Sequence, residues 1–377
     1  MPPRSVYLDH AATTPVSPEA RAAFLEALDE TYANPSSLHG PGVAAARVLE
    51  RARDALRAAA GSRFRRVVLT SGGTEADNLA VLGLGRGGKK RRVVSTAIEH
   101  AAVLSALERL AADGVAVERL PVGPAGEVDV GRLAAAGKGA ALVAVHLVHN
   151  ELGTVVDVGA LAAELARTSP ETLLHVDAVQ APGKVDLVAT VGGADAVALS
   201  AHKLGAPKGS GALLLADRAN PRPLLFGGDQ QEGLRPGTEN VAGAAAFGVA
   251  LQRAASERAA LTARLVVLDG RLREGLGELG ERLRPIVPAG RAVPGLVALA
   301  LRGLPAEVML HRLEQRGVVA SAGSACHARR ARSHVLDALG APRETGLIRV
   351  SMGRQTTEDD VDAFLEAARE ALRGVTP

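Results

Sequence analysis

Ala198-Leu-Ser-Ala-His-Lys203-Leu-Gly-Ala-Pro-Lys208-Gly-Ser-Gly-Ala-Leu-Leu-Leu215 is the stretch from which the rest of the chain is best read. An apolar run delivers Ser200, His202 and Lys203 to a Gly/Pro turn, and a second apolar run leaves it. The pattern describes a strand that ends on a lysine, with another strand returning. A lysine at the end of a buried strand is costly to keep charged, so its amine is driven toward the neutral form. A neutral amine can form a Schiff base with an aldehyde cofactor. Ser200 and His202, two residues apart, project the same way from a strand and can hold an anion beside it. The same residues also fit a lysine that reaches solvent from a strand end, and the stretch alone does not separate the two.

On both sides of this stretch, apolar runs alternate with helical patterns. Val67–Thr70, Arg92–Thr96, Leu142–Val148, Leu173–Asp177, Ala194–Ser200 and Gly211–Leu215 read as strands. Thr74–Leu82, His100–Leu110 and Val158–Ala166 read as helices between them. Nearer the start, Ser17 is an N-cap followed by Pro18 at the first helical position. Such alternation predicts an α/β fold with a mostly parallel sheet covered on both faces. After about Ala255 the pattern changes to a long charged helix over Leu261–Leu283, short apolar runs, a closing strand at Ile348–Met352 and a helix from Thr357. That part reads as a smaller α+β domain. The expected division is a large domain of 14–254 and a small domain made of 1–13 and 255–377.

In parallel sheets, ligands bind beyond the carboxyl ends of the strands. The polar residues sit there. Ser71-Gly-Gly-Thr74-Glu75 follows one strand, His100 another, and Asn150-Glu-Leu-Gly-Thr154 a third. Asp177 and Gln180 end a fourth, and Ser200, His202 and Lys203 a fifth. The glycines before Thr74 at a helix start suit a phosphate, because backbone amides can approach it and the helix dipole favours an anion. An ordinary glycine turn with an N-cap fits equally. Asp177, at a buried strand end, needs a cation beside it; a protonated pyridine nitrogen or an arginine would serve. His100 can stack on an aromatic ring or simply cap its helix.

Bulk composition narrows the function classes. Of 377 residues, 47% are hydrophobic and 23% charged, which suits a globular chain without membrane spans. The start lacks an apolar signal core, so a cytoplasmic location is expected. The net charge is only +3, with six lysines against 38 arginines, and aromatic residues make up 2%. Without stacking partners, clusters such as Arg63-Phe-Arg-Arg66 and Lys89-Lys-Arg-Arg92 read as solvated faces, and nucleic acid is not an expected partner. The single cysteine, Cys326, excludes an internal disulfide and a multi-cysteine metal site; no metal is expected. Small residues precede it, and His327, Arg329, Arg330 and Arg332 follow, surroundings that favour a thiolate.

A lysine for a Schiff base, a carboxylate for a ring nitrogen and a phosphate cup are the parts of a pyridoxal 5'-phosphate site. From end to end the chain resembles the cysteine desulfurases, in the iron–sulfur-assembly branch of the class V aminotransferase-like enzymes. The resemblance is carried by Tyr7-Leu-Asp-His-Ala-Ala-Thr-Thr-Pro15, Asn34-Pro-Ser-Ser, Thr70-Ser-Gly-Gly-Thr-Glu75, Asn150-Glu-Leu-Gly-Thr154 and His175-Val-Asp-Ala-Val-Gln180. Ser200-Ala-His-Lys203, Arg235-Pro-Gly-Thr238, Gly323-Ser-Ala-Cys326, Ile348-Arg-Val-Ser and Thr356-Thr complete it.

The resemblance implies the type I fold of pyridoxal phosphate-dependent transferases, with a seven-stranded sheet. It implies that Lys203 anchors the cofactor and moves the substrate's Cα proton, and that Asp177 pairs with the ring nitrogen. Gln180 and Asn150 would bond around the phenolic oxygen, and His100 would stack on the ring and take part in proton transfer. Gly73, Thr74, Ser200 and His202 would hold the phosphate, with Thr238 contributed by the other subunit of a homodimer. Arg349 would bind the carboxylate of L-cysteine, with Asn150 and Asn34 nearby. Cys326 would attack the substrate sulfur, releasing L-alanine and keeping a persulfide for an acceptor such as an iron–sulfur scaffold protein. The chain departs from the family pattern just after Cys326, where His-Ala-Arg-Arg-Ala-Arg replaces the usual small hydroxyl residues and the segment is shorter. A selenocysteine or cysteine-sulfinate lyase is the competing enzyme reading; a scaffold protein that has lost its activity is the competing non-enzyme one.

Overall fold

A computed structural model describes residues 5–86, 91–323 and 333–375. Cys326, His327, Arg329, Arg330 and Arg332 lie outside the described residues. The main sheet has seven strands in the spatial order Phe64–Thr70, Gly211–Ala216, Ala196–Ser200, Leu173–Asp177, Leu142–His146, Arg92–Thr96 and Ala116–Leu120. Only Gly211–Ala216 runs against its neighbours. Its position is set by a close approach: a Cβ on Gly211 would lie 2.5 Å from the backbone carbon of Gly72. The central strands Leu142–His146, Ala196–Ser200 and Gly211–Ala216 are buried along their whole length, as expected of a sheet with helices on both faces.

The α/β pattern expected from the sequence is therefore the observed one, with departures in detail. Ala116–Leu120 is a strand that its residues do not announce; it is an edge strand with mostly exposed side chains, so it lacks the apolar run that marks the others. The long charged helix is not Leu261–Leu283. It is one 36-residue helix, Val241–Leu276, capped by the Asn240 side chain, and Leu283 begins a strand. The helix packs against two different cores along its length. Val241 to Leu251 packs into the core beside the main sheet, whereas Leu265, Leu268 and Leu272 pack into a second core. That second core lies on a three-stranded antiparallel sheet of Leu283–Pro285, Leu296–Leu301 and Gly346–Ser351.

The two sheets meet through the start of the chain. Val6–Tyr7 pairs in parallel with Val318–Val319, and Asp9 bridges to Ser351. Residues 8–14 then cross to the main sheet, where the Thr14 amide and hydroxyl both donate to the His202 carbonyl. This crossing brings Arg349, from the small sheet, to the carboxyl edge of the large one.

Candidate active site

Five strands of the main sheet end at one edge, and a cavity of about 280 Å³ opens there. Its wall includes Gly73 and Thr74, His100, Asn150, Asp177 and Gln180, and Ser200, His202 and Lys203, together with Arg349. Every one of the five strand ends singled out in the sequence contributes. Asn34 does not line this cavity; it is exposed, and its side chain closes a local turn onto the Ser36 amide. Thr238 is likewise exposed and away from it.

Lys203 leaves a buried strand and enters a single 3-10 turn, Ala201–Lys203. Its Nζ donates to the carbonyls of Ala11 and Ala12 at 2.6 and 2.7 Å. Burial first, then the positive charges of Arg349 and Lys184, pull its pKa down to about 8. The amine is thus far closer to neutral at physiological pH than an ordinary lysine. His202 is pulled down to about 4 by burial and by Lys203 and Lys208, so it is neutral, with Nδ1 against the Thr13 hydroxyl at 3.1 Å.

Asp177 is 8% exposed, and its hydrogen bond among the described residues comes from the Val179 amide at 2.9 Å. Behind it lies a pair whose protons can be assigned. His175 Nδ1 faces the Ala196 carbonyl, so it carries the hydrogen; Nε2 then accepts from the Asp77 carboxyl at 3.1 Å. Burial raises Asp77, with Asp177 and Glu99 adding to it, and burial lowers His175 to about 4. Asp77 and His175 thus form a neutral pair.

Arg349 is the largest fully buried side chain among the described residues. Nη1 donates to the Asn150 carbonyl at 2.9 Å and Nη2 to Asp9 Oδ1 at 2.6 Å. Each terminal nitrogen keeps a second hydrogen, so the fork still presents donors to a carboxylate. His100 caps the helix Ala101–Ala112 through Nδ1, which accepts from the Ala102 amide at 3.1 Å, and its ring also lines the cavity. The capping and ring-facing readings are thus compatible. Gln180 donates from Nε2 at 2.8 Å to the Ala11 carbonyl, which also accepts from Lys203 Nζ.

The profile of the aminotransferase class-V family matches residues 6–364. The chain belongs to the class V aminotransferase family. It is 38% identical to an IscS-like cysteine desulfurase of Mycobacterium tuberculosis, over 97% of this chain and 96% of the relative. It is equally 38% identical to a cysteine desulfurase of Cereibacter sphaeroides, over 99% and 97%. A solved NifS-like protein superimposes with a TM-score of 0.90 at 31% identity, covering 98% of this chain and 99% of the other. Class V enzymes that are cysteine desulfurases depend on pyridoxal phosphate.

The residues present suit that group on their own chemistry. Ser200 Oγ is buried at the cavity without a partner among the described residues. A Cβ on Gly73 would lie 2.5 Å from Val179 Cγ2, so the space at this helix N-terminus exists only because the residue is glycine. An orphaned hydroxyl beside free helix-end amides is what a phosphate requires. A buried carboxylate without a cation is what a ring N–H requires.

Reasoning from sequence missed four residues here. Asp77 follows Thr74 by three positions on the same helix, and that spacing was a usable signal. Asp9 lies within the first of the family-like stretches, Tyr7–Pro15. Glu99 and His146 had none, because their contact joins two separate strand ends.

Proposed function

We infer that the protein is a pyridoxal phosphate-dependent cysteine desulfurase that converts L-cysteine to L-alanine and keeps the sulfur as a persulfide on Cys326. The observation that carries this reading is the cavity that joins a lysine depressed to about 8, a carboxylate without a cation and a buried arginine fork. Bound there, pyridoxal phosphate supplies an electron sink for charge that develops on the substrate's carbons.

The chain's own residues do the rest. Arg349 binds the substrate carboxylate, with Asp9 and the Asn150 carbonyl fixing the fork. Lys203, neutral in part of its population, takes the Cα proton and returns it. Asp177 would pair with the ring nitrogen, Gln180 and Asn150 would bond to the phenolic oxygen, and His100 would stack on the ring. Gly73, Thr74, Ser200 and His202 would hold the phosphate, and Thr238 would be contributed from the other subunit of a homodimer. Asn34 belongs to the substrate side of that assembled site. The Cys326 thiolate bonds to the substrate sulfur while the carbon–sulfur bond breaks; the electron pair stays with carbon, which takes up a proton to give alanine.

In this reading 14–254 is the cofactor-binding domain, and 1–13 with 255–377 is the small domain that carries Cys326. The persulfide passes to an acceptor protein in the cytoplasm, such as an iron–sulfur scaffold, and neither nucleic acid nor a membrane is a partner. Among the described residues, no helix is long and apolar enough to cross a membrane. The test is Cys326→Ala: alanine formation from cysteine should disappear while the absorbance of bound cofactor persists. Undiminished turnover of cysteine would refute the role of the thiol, and turnover of selenocysteine alone would favour a lyase.

A further inference from the structure

Three side chains that line the cavity carry a buried nitrogen or oxygen with no partner among the described residues: Ser200, Arg349 and His146. Phosphate and carboxylate account for the first two. His146 has no assigned task. We propose that His146, oriented by Glu99, is a positioning residue for the cofactor's ring: it holds a proton beside Asp177 and so sets the charge that the ring end meets.

The placement comes from the sheet. His146 and Asp177 are register partners on adjacent parallel strands, so their side chains leave the same face at the same height. His146 is 3% exposed, and its Nδ1 lies 3.0 Å from Glu99 Oε1. That oxygen also accepts from the Thr96 hydroxyl at 2.5 Å, which fixes the carboxyl and through it the ring. Nε2 is the nitrogen left unpartnered. A ring held by one nitrogen and open at the other is how a carboxylate orients an imidazole for a second contact.

Glu99 is its ion-pair partner, and most of the other groups around it are neutral or cationic. From the helix Gly73–Gly85, Asp77 is matched to His175 as a neutral pair. From the loop after its own strand, His149 is satisfied, with Nε2 on the Ile98 carbonyl and Nδ1 accepting from the amides of Glu151 and Leu152. Burial and then the charge of His146 hold it neutral. His100, Lys203 and Arg349 face the same cavity from the loop before Ala101, from the turn Ala201–Lys203 and from the small sheet. Burial alone would push His146 down, but the charge and hydrogen bond of Glu99 and the charge of Asp177 outweigh it, and the net shift is upward. His146 therefore holds its proton against Glu99, beside Asp177 but with no hydrogen bond to it among the described residues.

This inference rests on the reading that Asp177 faces a pyridoxal phosphate ring. The experiment loads wild type, His146→Gln and Glu99→Gln with pyridoxal phosphate and follows the cofactor's visible absorbance across neutral and mildly alkaline pH. Losing the imidazolium should raise the pH midpoint in His146→Gln by about one unit, since a positive charge nearby disfavours protonation of the chromophore. Glu99→Gln should raise it by less, because it removes a more distant negative charge together with the histidine's proton. A buried Glu99 left unpaired can prevent folding, so the double variant His146→Met with Glu99→Gln, which leaves no unpaired charge, should show the smaller upward shift expected of Glu99→Gln. A midpoint or a flat profile common to wild type and the folded variants overturns the inference alone. A wild type that takes up no pyridoxal phosphate overturns the functional reading and this inference with it.

Discussion

Asp177 and Asp195 are buried carboxylates at opposite ends of neighbouring strands, and the chain treats them in opposite ways. Asp195 is fully buried just before the strand Ala196–Ser200, and every direction around it is answered. Arg63 donates to Oδ1 at 2.9 Å; Arg218 donates to Oδ1 and Oδ2, both at 2.6 Å; and the Leu174 amide donates to Oδ2 at 2.8 Å. Asp177, at the carboxyl end, receives one backbone amide. A carboxylate matched by two arginines belongs to the fold. One that lacks its cation leaves a place for a ligand to supply it.

Exchanging the two roles by mutation is the way to break this comparison. Asp177→Asn should leave the folding equilibrium nearly unchanged but reduce alanine formation about a hundredfold to a thousandfold, the usual loss when a fixed charge facing a reacting group is removed. Steady-state rates on purified, cofactor-loaded protein measure it; a loss below tenfold would move Asp177 out of the site. Asp195→Ala should do the reverse. It leaves the Leu174 amide buried without an acceptor and frees two half-exposed arginines into water, a cost of about 2 kcal/mol. Denaturant melts should register that loss, with activity per folded molecule retained.

The smallest effect sharpens the contrast through Lys203. Its amine is held near 8 chiefly by burial, while the negative charges of Asp9 and Asp177 hold it from falling further. Uptake of pyridoxal phosphate by apoprotein requires the neutral amine, so its rate should climb as pH rises and level off above about 8. Asp177→Asn removes a charge that favours the protonated form and should move that profile to lower pH, whereas Asp195→Ala should not move it. Stopped-flow absorbance at a series of pH values distinguishes the two.

The site was legible to the extent that its residues are local. Ser17 caps the helix Pro18–Glu30 by accepting from the Ala20 amide, as Ser-Pro-Glu at a helix start requires. Ser200, His202 and Lys203 are placed by the end of an apolar run, and so is Asp177. Each of these positions follows from the run length and the turn after it, which are properties of a few adjacent residues. Arg63 and Arg66 were not legible. Read as a solvated basic face, they are tied down: Arg63 to Asp195, and Arg66 to the Ala219 carbonyl and Asn220. Charge alone does not reveal a partner that lies far along the chain.

By itself, the sequence determined the α/β alternation, the edge at which the chemistry gathers and the residue types found there. It did so because backbone periodicity and strand ends are written in short stretches. Only the tertiary structure decided which of those residues remain unmatched. It gave Asp195 its arginines and Asp177 none, set His146 in register with Asp177, and brought Arg349 across from the small sheet with Asp9 as its partner. Whether a buried charge is spent on the fold or kept for a ligand depends on partners brought together from distant parts of the chain, and only packing makes that assignment.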